Sequence, residues 1–242
     1  MALTVECLGA IRLALDSERD GVCESRKMLS LGYPDIAATA DEIASVFDRQ
    51  LAERLTFRAD SEGIARWHGL KAAQFVDANS LATALGYELE VLDVVEARGG
   101  ERLHDLNYPV PQALHGRYGL VIDPGTLEHC FNIAQAAKNV AEMVSSGGCA
   151  LHLNPLNMHN HGFYNLNPTW YHDFYLANGF EIEFVEAVSG SGPKRQFRVP
   201  PIARFRDLPA ESSICVLVRR RSVQPITWPL QSKYVQNPRL SA

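Results

Sequence analysis

Apolar positions along the chain keep two rhythms. Leu3, Val5, Leu8, Ile11, Leu13 and Leu15 recur at mixed helical spacing and predict a short helix over residues 2–15. Residues 27–31 form a brief apolar run that reads as a buried strand. Ile43, Val46, Phe47, Leu51 and Leu55 return every three to four residues, predicting an amphipathic helix over 39–56. The stretch "FRADSEGIARWHGL" (57–70) is polar and irregular before turning helical, and 71–85 predicts another helix, closed by Gly86 as a left-handed cap. Beyond it the rhythm alternates. "YELEVLDVV", "ERLHDLN", "YGLVIDPG", "CALHLNP", "FEIEFVEAV" and "SSICVLVRR" predict strands. "TLEHCFNIAQAAKNVAEMVSS", stopped by Gly147-Gly148, and "PTWYHDFYLANG" predict helices, and residues 222–242 a tail.

Strands alternating with helices predict an α/β domain whose parallel sheet is covered on both faces. The last two predicted strands are joined by Gly, Pro and Arg without a helix, so the seven-stranded sheet is expected to close with an antiparallel last strand. The expectation is one domain over 1–242, with an inserted helical lid at about 39–70.

Composition narrows the function classes. Of 242 residues 46% are apolar, enough for a sizeable core, and the formal net charge of −5 argues against nucleic acid or an anionic membrane as partner. Arg219-Arg220-Arg221 reads as a solvated strand end. The five cysteines are scattered, without C-x-x-C spacing, which predicts reduced thiols in a cytoplasmic protein. Glu6 and Arg12 interrupt the apolar start, so no signal pattern is expected, and no apolar run reaches the ~20 residues of a membrane span. Oligomeric state is not legible.

In a doubly wound sheet, ligands bind beyond the carboxyl ends of the strands. The residues there are Gly32, Tyr33, Pro34 and Asp35 after the first strand, and Asp93 on the second. Asp105, Leu106 and Asn107 end the third, Asp123, Pro124 and Gly125 the fourth, and Asn154 and Pro155 the fifth. An acid at the second strand end suits paired ribose hydroxyls; an acid or amide after the third suits an adenine amino group. "HLNPLNMHNHGFYNLNP" packs five asparagines and three histidines around one strand end, a density that suits a small polar ligand such as an amino acid. His152, His159, His161 and His172 lack a carboxylate or thiol that completes a recognisable ligand set, so no metal is expected.

"YGLVIDPGTLEHCFNIAQAAKNVAEMVSSGGCALHLNP" resembles the fourth strand, acidic turn, Glu-His pair, helix, Gly-Gly break and fifth strand of the class I S-adenosylmethionine-dependent methyltransferases, which are Rossmann-like. "NHGFYNLNPTWYHDFYLANGFEIEFVEAV" resembles their later helix and "NGFE" turn. The resemblance covers about residues 26–221. It implies S-adenosylmethionine as cofactor, with Asp93 on the ribose, Asp105 and Leu106 on the adenine side, and "LSLGYPDI" where the family carries a glycine-rich loop. Only Gly32 of that loop remains. The spacing to Asp93 is about three times the ~20 residues of the dinucleotide-binding analogue. The extra segment holds Trp67, which either packs on a ligand or anchors the segment to the core.

Methyl transfer needs an aligned nucleophile and, where the nucleophile arrives protonated, a base. Candidates are His129, His161, Tyr171 and Tyr175, with Asn160 as an orienting amide. His129 serves either as base or as a structural or cofactor contact. Tyr171 and Tyr175, four apart on one helix face, point into the pocket or into the core. The leading expectation is methyl transfer to a small molecule. A second makes S-adenosylmethionine the substrate: its α-amino group displaces methylthioadenosine and closes a four-membered ring, as in the azetidine-2-carboxylate synthases. A third is a non-catalytic binding subunit.

Overall fold

The computed structural model describes residues 3, 5–16, 23–69, 74–190 and 196–235. Parts of the predicted helix 71–85, of the loop before the last strand and of the tail lie outside them.

Five strands run parallel: β1 (Lys27–Leu31), β2 (Glu88–Asp93), β3 (Arg102–Leu103), β4 (Tyr118–Asp123) and β5 (Val144–Pro155). β6 (Phe180–Val188), the short β7 (Gln196–Arg198) and β8 (Ser213–Arg220) complete a sheet of order β3-β2-β1-β4-β5-β8-β6-β7. β8 lies antiparallel between β5 and β6, and β7 pairs antiparallel with the outer edge of β6. The α/β class, the doubly wound mostly parallel sheet and the antiparallel last strand are as the pattern predicts. β7 is an eighth strand, three residues long, from a polar stretch that carries no strand signal.

Alternation along the central strands fills two cores. Val121, Ala150, Val216 and Val218 face α6 (Ile133–Met143) and α7 (Pro168–Ala177), whose Ala136, Val140, Tyr171 and Phe174 join the same cluster. Leu120, Ile122, Leu151 and Leu217 face the other way. They meet Leu8 and Ile11 of α1 (Val5–Asp16), Ile43 of α2 (Ala40–Val46), Leu51 of α3 (Arg49–Ala52) and Leu81 of α5 (Ala78–Ala84). All five cysteines are buried as free thiols, and no helix among the described residues is long and apolar enough to cross a membrane.

Four local differences from the predicted elements have physical causes. The helix expected over 39–56 is two. Thr39 opens α2 with a capping box, accepting from the Glu42 backbone while Glu42 accepts from the Thr39 backbone; Asp48 then caps α3, accepting from Leu51 N at 2.7 Å. α6 ends at Met143 rather than at Gly147-Gly148, because β5 begins at Val144 and its register shifts against β4 before Cys149. The third predicted strand shrinks to Arg102–Leu103.

The fourth concerns the arginine run, which is not a solvated strand end. Arg219 and Arg220 are buried, and only Arg221 is exposed. Arg219 donates to Gly147 O and Ala14 O and pairs with Glu183. Arg220 donates to Ala141 O and Val144 O at the end of α6. Guanidinium groups satisfy carbonyls that a helix end leaves unpaired.

The inserted segment lies mostly on a sheet face, through α2 and α3. α4 (Ser61–Trp67) has its own small cluster of Ile64, Ala65 and Phe75. Trp67 anchors nothing: it is 78% exposed. The anchor is His68, whose Nε2 lies 3.0 Å from Asp35 Oδ2, with Arg98 Nη2 on the same carboxylate at 3.2 Å.

Candidate functional site

The strand order reverses between β1 and β4, the place where a doubly wound sheet opens a crevice at its carboxyl edge. Gly32 leaves β1 at φ +77°, a conformation that favours glycine. A Cβ there would meet Thr126 Oγ1 at 3.4 Å and Asp93 Oδ2 at 3.7 Å, so the missing side chain leaves a notch between the β1 turn and the β2 acid. Thr126 closes its floor by donating to Leu31 O. Asp93 Oδ1 accepts from Val94 N at 2.6 Å, which fixes the carboxylate beside the notch. Asp105, one strand further, accepts from Asn107 N and Nδ2.

Other residues expected on the cofactor also make contacts within the protein. Asp35 holds the inserted segment, as above. Tyr33 is half-buried in the second core, with the Arg58 guanidinium 5.0 Å from its ring centroid, and Pro34 is buried. Leu106 is buried in the first core, and its carbonyl accepts from Asn139 Nδ2. Gly125, at φ +92°, turns the chain after the buried Pro124.

Asp123, Asn154, Tyr171 and Tyr175 form a buried network beneath the rim instead of lining it. Asp123 Oδ1 accepts from Thr126 N and Leu127 N, capping a single 3₁₀ turn (Leu127–His129). Its Oδ2 lies 2.9 Å from His152 Nδ1 and accepts from Asn154 Nδ2 at 2.9 Å. Tyr175 Oη lies 2.6 Å from His152 Nε2, so both ring nitrogens are engaged. Tyr171 donates to Asn154 Oδ1. Both tyrosines are fully buried, and burial raises their hydroxyl pKa values well above the ordinary value. Contrary to the expected catalytic role, neither hydroxyl reaches the rim, and neither is a base near neutral pH. They hold other residues in place.

At the rim stand His129 and His161, over a buried acid not among the expected site residues, Glu128. Its Oε2 accepts from Asn154 Nδ2 at 2.9 Å, while its Oε1 has no hydrogen-bond partner among the described residues. Burial, reinforced by Asp123, pushes this carboxyl up to about 7. Burial holds both imidazoles below their ordinary value, and in His129 the facing His161 adds to it. The loop carrying His161 lies directly on the 3₁₀ turn: Phe163 N donates to Glu128 O, and a Cβ on Gly162 would sit 2.8 Å from that same oxygen. Asn160, at φ +57°, turns this loop and is exposed, as is His159. Phe131 and Phe163 meet edge to face at 5.4 Å, both largely exposed beside the histidines. The sequence signal for Glu128 is its place before His129, in the turn that Asp123 caps.

A cavity of about 950 Å³ also lies on the α6–α7 flank, lined by Leu156, Trp170, Phe174, Arg204 and Trp228. It includes none of the rim acids, and the one carboxylate in its lining, Asp173, is taken up by Ser232 and His172.

The strand order with its reversed strand β8 is a Rossmann-like sheet of the kind the sequence resemblance implies. The chain is similar to several solved structures, among them the following three. TehB from Haemophilus influenzae matches at TM-score 0.45 and 10% identity, over 86% of this chain and 61% of that one. DszA carbon methyltransferase matches at 0.49 and 13%, over 91% and 54%. The trans-methyltransferase CalH, in complex with SAH, matches at 0.43 and 15%, over 89% and 55%. The chain thus spans little more than half the length of these proteins. At such identities a likeness concerns fold alone, and the fold assignment stands on the strand order. No protein-family model and no curated protein matches the chain.

Proposed function

We propose that the chain binds S-adenosylmethionine in the crevice between β1 and β4 and transfers its methyl group to a small molecule. The observation that carries this reading is the notch at Gly32, which any Cβ would fill, with the Asp93 carboxylate at its side. In this reading Asp93 accepts both ribose hydroxyls, and Asp105 receives the adenine amino group. When bound, the sulfonium supplies an electrophilic methyl group whose leaving group is a neutral thioether. The chain's remaining tasks are to align the acceptor and exclude water. Phe131 and Phe163 offer an apolar shelter, and the imidazoles of His129 and His161, biased toward neutrality by burial, stand where a departing proton is taken up.

Calorimetry with S-adenosylmethionine tests the binding. Asp93→Ala is expected to weaken it by about 1.5–3 kcal/mol, the range for hydrogen bonds to a charged group, or roughly 10- to 100-fold. Unchanged affinity would remove Asp93 from the ribose. Mass spectrometry after incubation separates the reactions: S-adenosylhomocysteine formed only with an added acceptor supports methyl transfer. Methylthioadenosine and a cyclic amino acid formed without one would show ring closure instead, and binding without turnover would favour a non-catalytic subunit.

A further inference from the structure

Glu128 is 0% exposed, yet its Oε1 accepts no hydrogen bond among the described residues. That oxygen faces two ring nitrogens, His161 Nε2 at 3.5 Å and His129 Nε2 at 3.8 Å. These separations exceed ordinary hydrogen bonds. The two imidazoles lie with ring centroids 5.4 Å apart, and the three ligand-type atoms are all within 4.8 Å of one another. A buried polar atom left unsatisfied is costly, so a partner of opposite character is called for between these groups.

The geometry points to a divalent transition-metal site formed by Glu128 Oε1, His129 Nε2 and His161 Nε2. With metal–ligand bonds of about 2.0–2.1 Å, ligand atoms around a tetrahedral ion lie about 3.3 Å apart. The two imidazoles, both partly exposed, would have to move closer by a few tenths of an ångström to Glu128 Oε1 to reach that value. Two nitrogens and one oxygen select zinc or cobalt over magnesium or calcium, which prefer oxygen throughout. The other histidines named as candidate ligands stand apart: both nitrogens of His152 are engaged below, and His172 Nδ1 lies 2.8 Å from Asp173.

The surroundings are built as a metal site requires. Asn154 fixes the rear oxygen of Glu128 and is itself held by Tyr171, the outer support that orients a ligating carboxylate. Gly162 lets the His161 loop lie against the Glu128 turn. Three protein ligands leave a coordination position open toward solvent, as in catalytic rather than structural sites. An ion here would hold an acceptor oxygen and ease its deprotonation, in place of the proton uptake assigned above to the free imidazoles, whose Nε2 atoms it would occupy. That role rests on the methyl-transfer reading; the binding of the ion does not.

The test uses full-length protein without an affinity tag, stripped with a chelator and titrated with cobalt(II) in the absence of S-adenosylmethionine. One equivalent is expected to bind with visible d–d absorption and to be displaced by zinc. His129→Ala, His161→Ala and Glu128→Gln are each expected to weaken binding by about 10-fold or more. His159→Ala, on the same loop, is expected to leave it unchanged. Because His129 and His161 are partly exposed, their variants separate lost ligation from lost folding, with circular dichroism as the check. No cobalt binding by folded protein, or binding that survives His161→Ala undiminished, overturns the site. Intact cobalt binding in protein that gives no heat with S-adenosylmethionine supports the site and overturns only the role attached to it.

Discussion

Replacing Asn154 with leucine is expected to lower the stability of the fold by about 3–5 kcal/mol, the scale of breaking a buried charged network by removing one member. Leucine has the same number and branching of side-chain heavy atoms as asparagine, is somewhat bulkier, and has no polar atoms. Asn154 is fully buried, and its amide bridges Asp123 and Glu128 while its oxygen accepts from Tyr171. Without it, Glu128 loses the hydrogen bond to Oε2, Asp123 loses one of its acceptor contacts, and the Tyr171 hydroxyl is stranded where no water reaches. Each such group costs about 1–3 kcal/mol, more when charged, and the costs overlap because they share one site. Urea unfolding with an unchanged m-value reads the effect. Adding Tyr171→Phe to the leucine variant is expected to restore part of the loss, since it removes one stranded donor. A loss under about 1 kcal/mol would mean that the network does not fasten the rim.

Stability is also expected to fall with rising pH through a window set by Glu128. In the folded protein burial, with Asp123 nearby, raises this carboxyl from the ordinary 4.5 to about 7. Between those values the folded state holds a proton that the unfolded chain has released, so its contribution is complete below the lower value and gone above the upper one. The full swing is roughly 3 kcal/mol, at about 1.36 kcal/mol per pKa unit. The groups facing Glu128 are Asp123, which adds to the shift, Asn154, which opposes it, and His129 and His161, whose lowered pKa values keep them from offsetting it. Glu90 moves the other way: against its own burial, hydrogen bonds from Arg117 and Tyr118 hold it low. That effect is common to wild type and variant. Chelator-treated wild type and Glu128→Gln, unfolded in urea at about pH 5 and about pH 8, isolate the difference. Parallel pH dependences in the two proteins would refute the assignment.

Much of the fold is legible in the apolar rhythm, because strands buried on both faces leave an unmistakable run and glycines punctuate it. β1 and β6 fall on the residues predicted, and Asp93 and Gly32 stand at strand ends where topology alone sends them. What the rhythm does not carry is how polar side chains pair in three dimensions. The four-residue spacing of Tyr171 and Tyr175 says that they share a helix face, but only the sheet position of His152 and Asn154 turns that face inward. Asp123 sits where a rim acid is expected and instead caps the 3₁₀ turn and anchors the buried network. Glu128 escapes notice for the opposite reason: a charged residue in a polar turn reads as solvated, and its burial comes from a loop more than thirty residues further along the chain. The buried arginines of β8 misread in the same way, since the carbonyls they satisfy belong to α1, α6 and β5.

The burial of every cysteine gives this protein a built-in record of its own opening. Cys7, Cys23, Cys130, Cys149 and Cys215 are all sealed inside, and burial pushes the Cys130 thiol up to about 12 and that of Cys215 well above its ordinary value. Alkylation requires a thiolate to attack the reagent, so the sulfur must be both ionised and accessible. Labelling in native buffer therefore counts excursions from the closed state, and the order in which the five sulfurs react, followed by peptide mass mapping, ranks which layer of the sheet parts first.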